Sequence, residues 1–179
     1  MKTEWEVRFL EIDEKEFTTK LKSVGAKLVG SWFQIRNIYD FNPKREYEWI
    51  RLRTNGQETT LTIKEIKFKG VGGINETEIV VSDFETTNLL LNKLGYNPRC
   101  RQENKRTRYI LDGIEIDIDK WPTIPAYVEI EAPNKESIDK TCKKLDLDIT
   151  QASTDTSIDF YLKKYGADAN KDLVFQKDK

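Results

Sequence analysis

Alternation of charged and apolar side chains is the dominant pattern along this chain. Glu4-Trp5-Glu6-Val7-Arg8 near the start and Val128-Glu129-Ile130-Glu131 past the middle each read as a strand with a charge at every second position. Successive strand side chains point to opposite faces, so Glu4, Glu6 and Arg8 share one face and Trp5 and Val7 the other. The same alternation runs through Ile50-Arg51-Leu52-Arg53, Leu61-Thr62-Ile63-Lys64, Glu76-Thr77-Glu78, Arg106-Thr107-Arg108 and Ile114-Glu115-Ile116-Asp117-Ile118-Asp119. One wet and one dry face is ordinary for an antiparallel strand. Here nearly every strand carries charge on its polar face. The apolar set predicts a core between the sheet and helices packed outside it. The charged set then faces either open solvent or the inside of a barrel.

Helix signals separate the strands. Asp13 with Glu16 makes an N-cap and capping-box pair, followed by Phe17, Leu21 and Val24 at helical spacing up to Gly25. A second helix starts near Ser82-Asp83, carries Phe84, Leu90, Leu91 and Leu94, and stops at Gly95. A third begins at Pro133-Asn134 with Ile138, Cys142 and Leu145 inward, and a fourth runs from about Thr154 to Tyr165. A strand–helix–strands unit thus occurs twice, Glu4 to Lys64 and Glu76 to Glu131. Lys69-Gly70-Val71-Gly72-Gly73 reads as a long hairpin loop, since no helix follows it in the phosphate-loop arrangement. These elements predict an α+β fold, an eight-stranded antiparallel β-barrel or tunnel with helices packed outside. An open two-layer α+β sheet with a solvated charged face is the alternative. One domain is expected over residues 1–166, with a loose polar tail over residues 167–179.

Composition narrows the chemistry. The chain has 179 residues, 37% hydrophobic and 34% charged, enough for one domain with its own core. Thirty basic residues nearly cancel 31 acidic ones, without the basic excess of a nucleic-acid binder. No leading apolar segment or membrane-length apolar run is present, so a soluble, cytoplasmic protein without nucleic-acid or membrane partners is expected. Histidine is absent, which excludes Ser-His-Asp and Cys-His catalysis and histidine-ligated zinc. Cys100 and Cys142 form no paired motif. Cys142 reads as a core residue. Cys100 lies between Arg99 and Arg101, which favour a thiolate, although a chance neighbourhood is the plainer reading.

If the charged faces converge, six bases line one interior: Arg8, Arg51, Arg53, Lys64, Arg106 and Arg108. Eight acids join them: Glu4, Glu6, Glu76, Glu78, Asp117, Asp119, Glu129 and Glu131. Arginines recognise phosphate through bidentate hydrogen bonds, with lysine as a point charge. Clustered carboxylates without histidine or thiolate suit hard cations, Mg²⁺ or Mn²⁺. Acids and bases in one cavity therefore point to a metal–polyphosphate complex. The plain alternative is a set of surface cross-strand ion pairs, each worth little.

The opening acid-x-acid-x-base of Glu4-Trp5-Glu6-Val7-Arg8 resembles the first-strand signature of the CYTH superfamily, which contains class IV adenylate cyclases and the thiamine and inorganic triphosphatases called triphosphate tunnel metalloenzymes. The resemblance continues through Val24-Gly25-Ala26, Gln34, Ile50 to Arg53, Leu61 to Lys64, Glu76 to Glu78 and Leu94-Gly95-Tyr96. It includes Arg106 to Tyr109, Asp117-Ile118-Asp119, Val128 to Glu131, and Ser157 to Leu162 as the closing helix. The stretch Asp117 to Glu131, with Trp121-Pro122 inside it, is most similar to the cyclase branch. The resemblance implies a tunnel that holds a small-molecule triphosphate: ATP, thiamine triphosphate or inorganic triphosphate. It implies Glu4, Glu6, Glu129, Glu131 and Asp117 as metal ligands, and the six bases as phosphate grips. Glu76, Glu78 and Asp119 would support them. Lys64 is the candidate to activate water or steady a leaving oxygen, with Tyr39 as a helper. Cyclase-like members also imply a possible homodimer. Departures are the arginine at position 8 where the signature has lysine, Arg36 where many members carry aspartate, Ile38 for an aromatic, Ile74 for an arginine, and Asn104 for a base. They thin the cationic lining and place an extra base, Arg36, at the mouth.

Overall fold

The computed structural model describes residues 2–68, 70, 72–153 and 159–176, without the side chains of residues 2–4, 159 and 160. Among the described residues there are eight strands: β1 (Lys2–Phe9), β2 (Lys27–Tyr39), β3 (Glu48–Thr54), β4 (Thr59–Ile66), β5 (Ile74–Val81), β6 (Cys100–Leu111), β7 (Ile114–Lys120) and β8 (Tyr127–Ala132). All pair antiparallel into a closed barrel, in the order β1-β5-β4-β3-β2-β6-β7-β8. The closed form, not the open two-layer sheet, is adopted. Closure across β1 and β5 rests on three partner pairs, Lys2 with Glu76, Thr3 with Asn75 and Glu4 with Ile74.

Among the described residues four α-helices accompany the barrel: α1 (Glu14–Ser23), α2 (Phe84–Lys93), α3 (Lys135–Lys144) and α4 (Asp159–Lys164). Their starts are chemically marked. Asp13, Asp83 and Asn134 accept hydrogen bonds from the backbone N–H of Glu16, Thr86 and Ser137, so each cap satisfies an orphan donor. Residues 154–158, the expected start of the last helix, lie outside the described set.

Three apolar clusters sit outside the tunnel wall. The largest joins Val7, Ile116, Val128 and Ile130 to Phe17 and Leu21 of α1 and Ile138, Cys142 and Leu145 of α3. A second places Tyr39, Ile50 and Leu52 beneath Phe84 and Leu91 of α2. Leu90 and Leu94, expected to belong to the second helix with Phe84 and Leu91, are exposed. The third lies across one barrel end, where Trp121, Ile124 and Tyr127 meet Tyr161, Leu162 and Leu173. Thus residues 167–176 do not form the expected loose tail. β6 extends past the end of β7 and leaves an open edge, on which Leu173 exchanges backbone hydrogen bonds with Arg101 (2.9 Å) and Glu103 (2.8 Å). A buried leucine and a vacant strand edge suffice to dock a polar segment. No helix among the described residues is long and apolar enough to cross a membrane.

Candidate triphosphate-binding tunnel

A cavity of about 1030 Å³ occupies the barrel. Its lining includes Glu6, Arg8, Arg51, Arg53, Lys64, Glu76, Glu78, Arg106, Arg108, Glu129 and Glu131. Strand parity alone brings these together, because each belongs to the charged face of its strand. Asp117 and Asp119 join them from β7 through ion pairs to Arg106. Glu4 belongs to the same face of β1 by parity, and its side chain lies outside the described residues.

On the side formed by β1, β8, β7 and β6, acids and bases satisfy one another. Arg8 donates to Glu6 (2.5 Å) and Glu129 (2.7 Å). Arg106 reaches Asp117 (2.6 Å), Asp119 (2.5 Å) and Glu129 (2.7 Å), and Arg108 forks onto Asp117 at 2.8 and 2.7 Å. Burial opposes charge on Arg8, Arg106, Arg108 and Glu129, yet the ion pairs outweigh it. Arg8 is raised by Glu6 and Glu129, Arg106 by Asp119, Asp117 and Glu129, and Glu129 is held well below the usual carboxylate range by Arg8 and Arg106.

The side formed by β2, β3 and β4 is different. Arg51 and Arg53 meet only distant carboxylates, at 3.4 Å (Glu76) and 3.5 Å (Glu78) for Arg51 and 3.9 Å (Glu78) for Arg53. Lys64 pairs with Glu76. Arg36 also belongs here. It is not an extra base at the mouth but a wall residue, 9% exposed, paired across strands with Arg53. Its guanidinium lies 4.6 Å over the Trp121 ring and donates to two neutral amides, Gln34 (3.2 Å) and Asn104. Burial, with Arg51 and Arg106 nearby, lowers Arg36 to about 10. Arg51, then burial, then Arg106 lower Arg53 to about 9.

One expected site residue is not in the tunnel. Ile38 lines the cavity, so the next residue, Tyr39, must point out of the barrel. Tyr39 is buried under α2 and donates to Asn88 Oδ1 (2.8 Å), beside Asn37. Its expected helper role is corrected to a core and helix-docking role. Arg36 was the reverse case: Gln34-x-Arg36-x-Ile38 has the parity of an inward face, which the neighbouring apolar residues mask. Cys100 is also settled, since burial raises its thiol despite Arg99.

The acids form a hard all-oxygen donor set on neighbouring strands. Glu6 stands opposite Glu131 across β1 and β8, and Glu129 opposite Asp117 across β8 and β7. That chemistry and placement fit a small divalent cation. Among the described residues no three acids converge as they stand, because Arg8 and Arg106 engage their oxygens. An ion would take over oxygens that guanidiniums now hold.

Comparison with known proteins agrees with this geometry. The CYTH domain family model matches residues 2–156. No curated protein matches the chain. Among solved structures, the PH1012 protein of Pyrococcus horikoshii is 22% identical, with a TM-score of 0.74 over 87% of this chain and 97% of that one. An adenylate cyclase candidate from Vibrio parahaemolyticus is 11% identical, with a TM-score of 0.70 over 85% of this chain and 93% of that one. A Hippeastrum adenylyl cyclase candidate with a dominant triphosphatase activity is 12% identical, with a TM-score of 0.59 over 92% of this chain and 96% of that one.

Proposed function

This chain belongs to the CYTH domain family, and from that premise we propose that it is a divalent-metal-dependent enzyme acting on a triphosphate, most like a class IV adenylate cyclase. The observation that carries this reading is a buried cavity with acids gathered on one side and arginines short of counter-charge on the other. A triphosphate supplies the missing negative charge, and a Mg²⁺ or Mn²⁺ ion suits the carboxylates. Glu6, Glu129, Glu131 and Asp117 would hold the metal, with Glu4 on the same strand face. The ion would neutralise phosphoryl oxygens and stabilise charge on the leaving group.

The chain's own residues then have defined work. Arg51, Arg53 and Lys64 bind phosphoryl oxygens, and Glu76 and Glu78 orient them. Arg8, Arg106 and Arg108 turn from carboxylate to phosphate when both partners arrive together. In a cyclase the ribose 3′-oxygen attacks the α-phosphorus and pyrophosphate leaves. In a triphosphatase, inorganic or thiamine, water attacks the terminal phosphorus. Positioning decides between them, since both develop charge on the same oxygens. Lys64, held against Glu76, is the residue for activating water or steadying the leaving oxygen. One observation favours a second reading, a non-catalytic triphosphate-binding module: the signature lysine is replaced by Arg8, which binds Glu6 and Glu129 and cannot exchange a proton.

A panel of ATP, thiamine triphosphate and inorganic triphosphate, with product identification under Mg²⁺ and Mn²⁺, tests both. Turnover of one of them is expected, with loss of about 100-fold or more in Glu129→Gln. Binding without turnover under either metal would select the binding module.

A further inference from the structure

Arg36 is the residue that neither the expected site nor the acid network accounts for. It is buried, lines the cavity, and forms no ion pair among the described residues. A buried guanidinium without an ion pair is costly, and more so beside Arg51 and Arg53, whose own carboxylates lie at 3.4–3.9 Å. Arg36 stands opposite Arg53, and Ile38 beside it stands opposite Arg51. Among the described residues Arg36 Nε and Arg51 Nε are buried donors with no hydrogen-bond partner. Stacking on Trp121 accounts for one face of the Arg36 guanidinium, but not for the unused donors.

The cavity is also bounded beside Arg36. Gln102, its partner on β6, donates to the carbonyl of Ala169 (2.9 Å), and Ala169 and Asn170 of the C-terminal segment line the cavity there. This segment lies beyond the residues 2–156 that the family model matches. The wall beside Arg36 is thus built partly from this C-terminal segment.

We propose that Arg36, Arg51 and Arg53 form an anion subsite for the unsubstituted terminal phosphoryl group of a triphosphate, with Arg36 as its specificity-determining residue. The proposal rests on the triphosphate reading above. A terminal phosphoryl group offers three free oxygens and up to two negative charges, whereas an internal one offers two oxygens and one charge. The larger charge and the extra acceptor match two unused donors and a wall short of acids. The depressed values of Arg36 and Arg53 express the same deficit, which a bound dianion removes.

The test compares tripolyphosphate, which has free ends, with diadenosine triphosphate, which has none, by calorimetry on wild type and Arg36→Gln at one Mg²⁺ concentration. Wild type is expected to prefer tripolyphosphate. Arg36→Gln is expected to lose roughly tenfold or more in tripolyphosphate affinity and less than about twofold for diadenosine triphosphate. Its ligand-free melting temperature is expected to equal or exceed that of wild type. Arg36→Met, an unbranched apolar side chain that can pack on Trp121 without the charge, carries the same criteria if Arg36→Gln does not fold. Tripolyphosphate binding within twofold of wild type, or an equal loss for both ligands, would overturn the subsite alone. Failure of wild type to bind tripolyphosphate would remove the triphosphate reading and the subsite with it.

Discussion

The two sides of the tunnel solve the same electrostatic problem in opposite ways. On β1, β8, β7 and β6 every described inward base lies against carboxylates at 2.5–2.8 Å. On β2 and β3 the inward arginines are Arg36, Arg51 and Arg53, and among the described residues their ion pairs are with Glu76 and Glu78 on β5, at 3.4–3.9 Å. Both sides bury guanidiniums, and burial works against the charge of Arg8 and Arg106 on one side and Arg36 and Arg53 on the other. The acid-rich side reverses that effect, as Arg8 and Arg106 show, while the basic side compounds it, as Arg36 and Arg53 show. The first side carries its own counter-charges. The second carries fewer, and the proposed anion would supply them. The lesson is that charge count along a chain says little about a site until each charge is assigned a neighbour.

The sharpest way to break the contrast is to remove one arginine from each side. Arg106→Ala leaves Asp117, Asp119 and Glu129 facing one another in a buried wall. A loss of about 3–5 kcal/mol in unfolding free energy is expected, measured by urea denaturation at neutral pH. Stability within error of wild type would show that the acid network is not the self-contained unit described.

Arg53→Ala on the other side is expected to leave ligand-free stability unchanged or raised, because it removes a cation repelled by Arg51 and Arg36. Its cost falls on binding: about 2 kcal/mol of tripolyphosphate affinity by calorimetry, the loss of a charge-assisted bond. Lys140→Ala, at an exposed position on α3, is the control and should change little. Equal losses at the two positions would mean that binding is diffuse attraction rather than recognition in the tunnel.

Much of this contrast could be read from the chain because strand parity is a strict geometric rule. The alternation at Glu6-Val7-Arg8, Arg51-Leu52-Arg53 and Asp117-Ile118-Asp119 fixes which residues meet inside once the barrel closes. Parity misled where the strand has two buried faces. On β2, Asn37 and Tyr39 are polar groups in the helix-side core, and Ile38 is an apolar group in the tunnel, so polarity no longer marks direction. The C-terminal segment was illegible for another reason. Its docking depends on a strand edge left open by the unequal lengths of β6 and β7, and on Leu173 in a polar stretch. Neither has a local signature. Of the neutral inward residues, Gln102 carries no signal in the sequence and Gln34 and Asn104 stand out only against the family pattern, yet they are what Arg36 meets in place of a counter-ion.

The smallest expected effect concerns Arg8, which belongs to the self-satisfied side yet departs from the signature. Its guanidinium joins β1 to β8 by contacting Glu6 and Glu129 together. A lysine keeps the charge but replaces a planar fork by a single ammonium on a flexible stem. Arg8→Lys should therefore cost less than about 1 kcal/mol of stability, because Arg106 still engages Glu129. If position 8 acts in this chain as a clamp, turnover of the best substrate should be unchanged or up to about threefold lower, as one hydrogen bond weakens. If proton exchange at position 8 were limiting, an ammonium beside other cations would titrate where a guanidinium does not, and the rate would rise with a new basic limb in the pH profile. The clamp is favoured because Arg8 sits among carboxylates that raise its affinity for the proton, an environment that would hold a lysine protonated as well. Rates for wild type and Arg8→Lys across pH decide the matter: a gain of more than about tenfold would move this residue from the holding side of the tunnel to the reacting one.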